Sequence, residues 1–307
     1  KKASGSLEGE YLVPEDTIRI EADAFSGCQK VTELYIARGT NLSLGDRCFK
    51  GCNGLKKVDL RGQITDWGDE TFMNCTGIES VRLGATYTSE EEFLFTRRIG
   101  TRAFKNCTGL SASGSLVIGG VIENIGEESF AGCLNLPDVA VLTSAKTKLL
   151  KIEDRAFADC SKLTVFLTST YKGLQSIGAY AFTECDSMKG PSIPASVKSI
   201  GEGCFMGCDN LTTVSIYGAL EEYPKWCFKD CPKLNRTGGT AAAFAGLKRL
   251  GEGAYEGCTS LTYSASWNLG KYVSLSEIGA NAFHGCKSLP AVTLSSSVTS
   301  IGAGAFD

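Results

Sequence analysis

Apolar and polar positions recur along this chain in one fixed order. Residues 199–211 read apolar, glycine, three residues, phenylalanine, two residues, cysteine, two residues, leucine, and that order returns from end to end. Anchored on the aromatic, it gives twelve units: Phe25, Phe49, Phe72, Phe104, Phe130, Phe157, Phe182, Phe205, Phe228, Tyr255, Phe283 and Phe306. In the first eleven a cysteine follows three residues later, and successive cysteines lie 23 to 32 residues apart. That is the period of a solenoid, not of a coiled coil or a propeller blade. Five residues before the aromatic the side chain is always apolar, and glycine follows it in nine of the twelve units. The residue just before the aromatic is always Ala, Ser, Thr or Cys.

One such unit cannot bury an apolar face alone, so like positions must stack into internal rows of Phe, Ile and Leu. Each buried side chain in those rows contributes roughly 1.5–3 kcal/mol. The small column belongs where a neighbouring coil leaves no room. The glycines mark sharp bends or close backbone approach. The residue before each row cysteine is Gly, Asn or Asp in ten of eleven units, with Glu184 the exception, which predicts a left-handed turn there. After the turn comes a period-two segment. In residues 211–217, Val214 and Ile216 are predicted to point in, and Thr213, Ser215 and Tyr217 out. The expected fold is an α/β repeat solenoid, a right-handed coil of about twelve units with one parallel β-sheet face and short helical or irregular arcs opposite. Residues 1–17 are read as an N-terminal cap or leader and 18–307 as a single solenoid with an incomplete last repeat.

The order Cys-x-x-Leu-x-x-Val-x-Ile, then Val-x-x-Ile-Gly-x-x-Ala-Phe-x-x-Cys, resembles the BspA-like (Treponema-type) leucine-rich repeats of bacterial surface proteins. The strongest local matches are residues 194–205 and 297–306, and the resemblance covers residues 14–307. It implies a horseshoe-like or gently curved solenoid on secreted or surface-attached proteins, linked to adhesion and host contact. It implies no catalytic residues and no cofactor.

Composition narrows the chemistry. The net charge is −3 with both signs interspersed, so no basic stripe points to nucleic acid. No apolar run reaches the length of a membrane span. The first residue is Lys1, not an initiator Met, which suggests a trimmed product, and no signal or anchor segment is apparent. Fourteen cysteines invite a disulfide framework. Eleven share one phase, however, and an odd row of parallel side chains pairs badly, so free buried thiols are expected. Cys204, Cys208, Cys227 and Cys231 have zinc-like spacing. Yet Cys204 and Cys227, like Cys48, fill the small column, so no metal is expected. His284 is the single histidine, read as a surface residue with no nucleophile motif beside it. Glu90, Glu91 and Glu92 are a solvated charge run.

These readings point away from an enzyme. They favour a non-enzymatic, adhesin-like binding module, secreted or at the cell surface and monomeric, contacting a host protein or glycan such as the extracellular matrix. The alternative is a structural spacer presenting another domain. Candidate contact residues are the outward strand positions of the first coils, Tyr35, Lys57, Asp59, Arg61 and Arg82, beside Glu33. The longest inter-cysteine stretch adds Tyr87, Phe93, Phe95, Arg97 and Arg98 from the insertion at 86–98, and strand ends add Tyr217, Trp267 and Tyr272. Later coils are expected to present small outward residues, with Leu167, Ser192, Ser215 and Gly238 among them.

Overall fold

The computed structural model describes residues 7–37, 39–84, 97–111, 116–119, 122–141, 148–164, 167–262 and 269–307. They fall into two compact units, residues 1–162 and 163–307. Within each, every coil lays like residues on like residues, a parallel β-solenoid.

In the first unit a six-stranded parallel sheet runs β1 (Gly9–Leu12), β2 (Val31–Ile36), β3 (Lys57–Leu60), β4 (Ser80–Leu83), β5 (Leu116–Ile118) and β6 (Ala140–Val141). Its register aligns Leu34, Val58, Val81 and Leu116 in one inward row, and Ile36, Leu60, Leu83 and Ile118 in another. All eight are buried. In the second unit the same segment forms β7 (Ser192–Ile193), β8 (Thr213–Ile216) and β9 (Arg236–Gly239). Val214 and Ile216 face the core there, as expected, and Tyr217 is exposed. Leu167 departs from its expected outward place and joins the core.

The single sheet face is corrected, because each coil carries a second strand position. The apolar residue five before the aromatic ends a short strand of its own. Arg19–Ile20 pairs with Asn41–Leu44, and that with Gln63–Trp67. In the second unit Glu222–Tyr223, Arg249–Leu250, Glu277–Ile278 and Ser300–Ile301 form a four-stranded ladder. The glycine that follows is explained by close approach. A Cβ on Gly201 would lie 2.2 Å from the backbone nitrogen of Ala179, and one on Gly68 2.3 Å from that of Asp46.

The arcs are not helical. They are three overlapping turns that form a third inter-coil ladder. In the first coil the amides of Asp23, Phe25 and Gly27 donate to the carbonyls of Asp46, Cys48 and Lys50 in the next, at 2.7 to 2.9 Å. The intervening amides of Ala24, Ser26 and Cys28 close turns onto residues three back. Alternate amides thus face the neighbouring coil, which satisfies the backbone without helix or strand. Helix in the described residues amounts to little, with α1 (Ala241–Gly246), capped by Thr240, and a 3-10 turn at Leu269–Lys271.

This geometry demands two left-handed residues per coil. All eleven residues before the row cysteines have φ between 54° and 75°, Glu184 included. A second column, two residues before the aromatic, is left-handed in all twelve units, although only Gly203, Gly253 and Gly304 are glycines.

The cysteine row also does more than fill space. Nine of the eleven row thiols donate to the main-chain carbonyl of the aromatic one coil back, among them Cys52 to Phe25 at 3.1 Å, Cys75 to Phe49 at 3.0 Å, Cys231 to Phe205 at 3.0 Å and Cys258 to Phe228 at 3.0 Å. None of the fourteen cysteines is in a disulfide. Above this row the aromatic rings stack nearly parallel, with centroids 4.8 to 5.8 Å apart from coil to coil within each unit.

Candidate functional site

The outward side of the first sheet sets one residue per coil on a line across the strands. Strand pairing places Leu12 beside Tyr35, Tyr35 beside Asp59, Asp59 beside Arg82 and Arg82 beside Val117. A parallel row runs through Glu10, Glu33, Lys57 and Ser80. The alternation of a β-strand sends these side chains to the face opposite the core rows.

Their charges are mostly matched. Asp59 is only 3% exposed, and Arg61 grips it, with Nη2 2.8 Å and Nε 3.0 Å from its carboxylate. A two-pronged pair of this kind satisfies a buried acid where a point charge would not. The Tyr35 phenol donates to Glu33 and accepts from Lys57 Nζ at 2.8 Å. Lys57 also lies 4.8 Å from the centre of the Tyr35 ring. The bond to Glu33 holds the Tyr35 phenol above its ordinary value, and the bond to Tyr35 holds the Lys57 ammonium charged. A cleft of about 380 Å³ opens beside this cluster, lined by Glu10, Leu12, Tyr35, Ile36, Ala37, Asp59 and Arg61. Leu12, 58% exposed, is its apolar wall.

Arg82 differs. Among the described residues no carboxylate pairs with it, and its Nε–H is sealed from solvent with no acceptor. A buried donor left unmade costs about 1–3 kcal/mol.

The structure therefore brings Tyr35, Lys57, Asp59, Arg61 and Arg82 onto one face. It takes Arg97 and Arg98 elsewhere. Arg97 pairs with Glu123, and Arg98 reaches Glu153, 2.8 Å away, so both brace neighbouring coils. Glu153 is partly desolvated, but its bond to Arg98 wins and keeps the carboxyl below its ordinary value. Tyr217 is exposed in the second unit. Tyr272 is corrected from a surface anchor to a core residue, 1% exposed, with its ring 5.1 Å from Phe244 of α1. Tyr87, Phe93, Phe95 and Trp267 lie outside the described residues, as do Glu90, Glu91 and Glu92. His284 is exposed. Sequence reasoning passed over Leu12, which only its register with Tyr35 brings to the cluster.

The second left-handed column runs along the arcs. In the first unit it alternates in charge: Asp23, Arg47, Glu70, Arg102, Glu128 and Arg155. Arg47 pairs with Asp23 at 2.9 Å, and Arg102 bonds Glu128. In the second unit it alternates in size. The Tyr180 ring lies where a Cβ on Gly203 would be, 2.2 Å away, and Trp226 lies likewise over Gly253 at 2.8 Å.

Stacked coils with an inward leucine row, a cysteine row and a parallel sheet define a leucine-rich-repeat protein. The chain belongs to the BspA type leucine rich repeat family, whose model matches in six copies over residues 9–98, 95–174, 123–262 and 248–307. Among solved structures it is similar to a leucine-rich repeat protein of Bacteroides ovatus, with 23% identity over 97% of this chain and 84% of that one and a TM-score of 0.53. It is similar too to one from Eubacterium ventriosum, with 19% identity over 97% and 82% and a TM-score of 0.50. The leucine-rich repeat protein of T. pallidum gives 25% identity over 60% and 78%, with a TM-score of 0.49. No curated protein matches the chain. No helix of the described residues is long and apolar enough to cross a membrane.

Proposed function

We propose that this protein is a non-enzymatic binding module, secreted or displayed at the cell surface, that holds a host protein or glycan in the manner of an adhesin. The contact surface is the outer face of the first sheet. The observation that carries this reading is the register-aligned cluster of Tyr35, Lys57, Asp59, Arg61 and Arg82 beside the cleft at Leu12. Aromatic and arginine side chains are the residue types that anchor interfaces. A stacked sheet presents them without the ordering cost that a loop would add. Repeat family membership supports protein binding, and no chemistry beyond recognition is needed.

The test is capture of extracellular-matrix proteins and a glycan array, with the wild type and with Tyr35→Ala and Lys57→Ala. Capture weakened by either substitution supports the reading. Capture that ignores both, or none from either panel, overturns it.

A further inference from the structure

We propose that the outer face of the second unit's β7–β9 sheet holds a hexuronic acid unit of a glycan, with its carboxylate on Arg236 and its ring against Phe244. The site shares no residue with the first-sheet face, so neither reading needs the other. A cleft of about 250 Å³ opens between β8, β9 and α1, with Thr213, Ser215, Arg236, Gly238 and Phe244 in its lining. Strand register sets Thr213 beside Arg236 and Ser215 beside Gly238. Alternation turns these four outward, whereas Val214 and Thr237 between them are buried. Gly238 leaves its place in the outward row without a side chain, so the floor dips there. α1 follows β9 directly and raises half-buried Phe244 as the far wall. The Tyr272 ring, 5.1 Å from that of Phe244, supports it from the core.

Charge selects an anion. The strand-bearing segments 189–195, 211–217 and 234–246 contain Lys189 and Arg236 and no acid, and no acid lines the cleft. Asp186, Asp209 and Asp230 lie in the turns beside the row cysteines, outside the strands. Glu221 and Glu222, which follow β8, pair with Lys248 and Arg249. Arg236 is exposed, and among the described residues nothing bonds its guanidinium. Its whole donor fork therefore faces solvent, in the shape that takes a carboxylate in two bonds. Lys271 Nζ, 5.7 Å from the centre of the Phe244 ring, adds a second cation at the wall. The rest of the lining selects a sugar. The hydroxyls of Thr213 and Ser215 have no partner among the described residues and can bond ring hydroxyls. The Phe244 ring suits the apolar C–H face of a pyranose. A bare acetate or phosphate would use neither. The volume lies below the roughly 300–1,000 Å³ of clefts for drug-sized ligands, which favours a six-carbon sugar acid over a nine-carbon one.

Ligand-observed NMR titration of the whole chain tests this, with methyl β-glucuronide, methyl β-glucoside, a methyl sialoside and acetate as probes. The glucuronide is expected to bind at least tenfold tighter than each of the other three. Arg236→Gln should erase its margin over the glucoside and Arg236→Lys keep part of it, with unfolding midpoints unchanged in both variants. Phe244→Ala should weaken the glucuronide and the glucoside alike. No binding, equal binding of the two hexosides, or a margin that survives Arg236→Gln overturns the proposal. So does acetate or the sialoside binding as tightly as the glucuronide, since the site would then read charge alone or a larger sugar acid. Tyr35→Ala, on the first-sheet face, should leave glucuronide binding intact, and a loss there overturns the placement at Arg236. Matrix-protein capture that depends on Tyr35 while Arg236→Gln changes no glycoside affinity sinks this site and leaves the first-sheet face standing.

Discussion

The same strand position serves two purposes in the two halves of this molecule. In residues 9–118 the outward row reads Leu12, Tyr35, Asp59, Arg82 and Val117. In residues 192–239 it reads Ser192, Ser215 and Gly238. The inward rows are interchangeable between the halves, and the outward rows are not. A repeat must keep what its neighbour touches, whereas its solvent side is free to specialise. The arcs show the contrast again. A left-handed backbone is imposed on both, and the first unit answers it with alternating charge, the second with a large ring over a glycine. Unlike side chains in alternate coils solve the same crowding problem in two ways.

The features common to both halves should break hardest. Phe130→Ala in the first unit and Phe205→Ala in the second remove fully buried, stacked rings, so each is expected to cost about 3–5 kcal/mol in urea unfolding. A cost below ~1 kcal/mol in either unit would undo the claim that their cores are equivalent.

The thiol rows make a shared prediction about pH. Burial pushes the thiols of Cys107, Cys204 and Cys258 well up, and those of Cys133 and Cys286 to about 12. A thiol held protonated in the fold but ionised in the unfolded chain contributes stability that is complete below about pH 8.5. That contribution is lost as pH climbs toward the folded value. Each such thiol removes roughly 1 kcal/mol per pH unit in this window. Urea midpoints should therefore fall between pH 8 and pH 9.5 in both units. Midpoints flat over that range would mean the thiols are not sealed.

The halves separate at smaller effects. Arg61→Ala strands the buried Asp59 carboxylate and is expected to cost about 2–3 kcal/mol, measured by thermal unfolding. Gly203→Ala forces a Cβ into the Tyr180 ring at φ 56° and should cost about 1–2 kcal/mol, partly recovered in a double variant with Tyr180→Ala. Arg102→Ala, at the matching position of the first unit, should cost ~1 kcal/mol or less and lose most of that in high salt. If Arg102→Ala outweighs Gly203→Ala, the two solutions are not the alternatives proposed. Thr213→Ala, on the bland outer row, should change stability by under about 0.5 kcal/mol.

Much was legible in the residues alone. The repeat, the aromatic, leucine and cysteine rows, the left-handed turn before each cysteine and the inward places of Val214 and Ile216 all follow from periodicity, because stacking forces like onto like. Periodicity is silent where a column's residues vary. The left-handed column two before the aromatic holds Asp, Arg, Glu, Tyr, Gly, Trp and Asn, so no residue type betrays it. The second strand position hid because its strands are mostly two residues long, too short for alternation to register. Tyr272 looked like a surface anchor, since an aromatic beside a strand end carries no mark of which way it turns.

What the sequence determined by itself is that coils of this composition must stack, since no single one buries enough apolar surface to stand alone. What only the tertiary structure decided is where the row thiols send their protons, that Leu12 joins Tyr35, and that the Nε–H of Arg82 is sealed from solvent without an acceptor among the described residues. Those outcomes depend on register between residues more than twenty positions apart, and a side chain's partner across that distance is set by how the coils lie on one another, not by its neighbours in the chain.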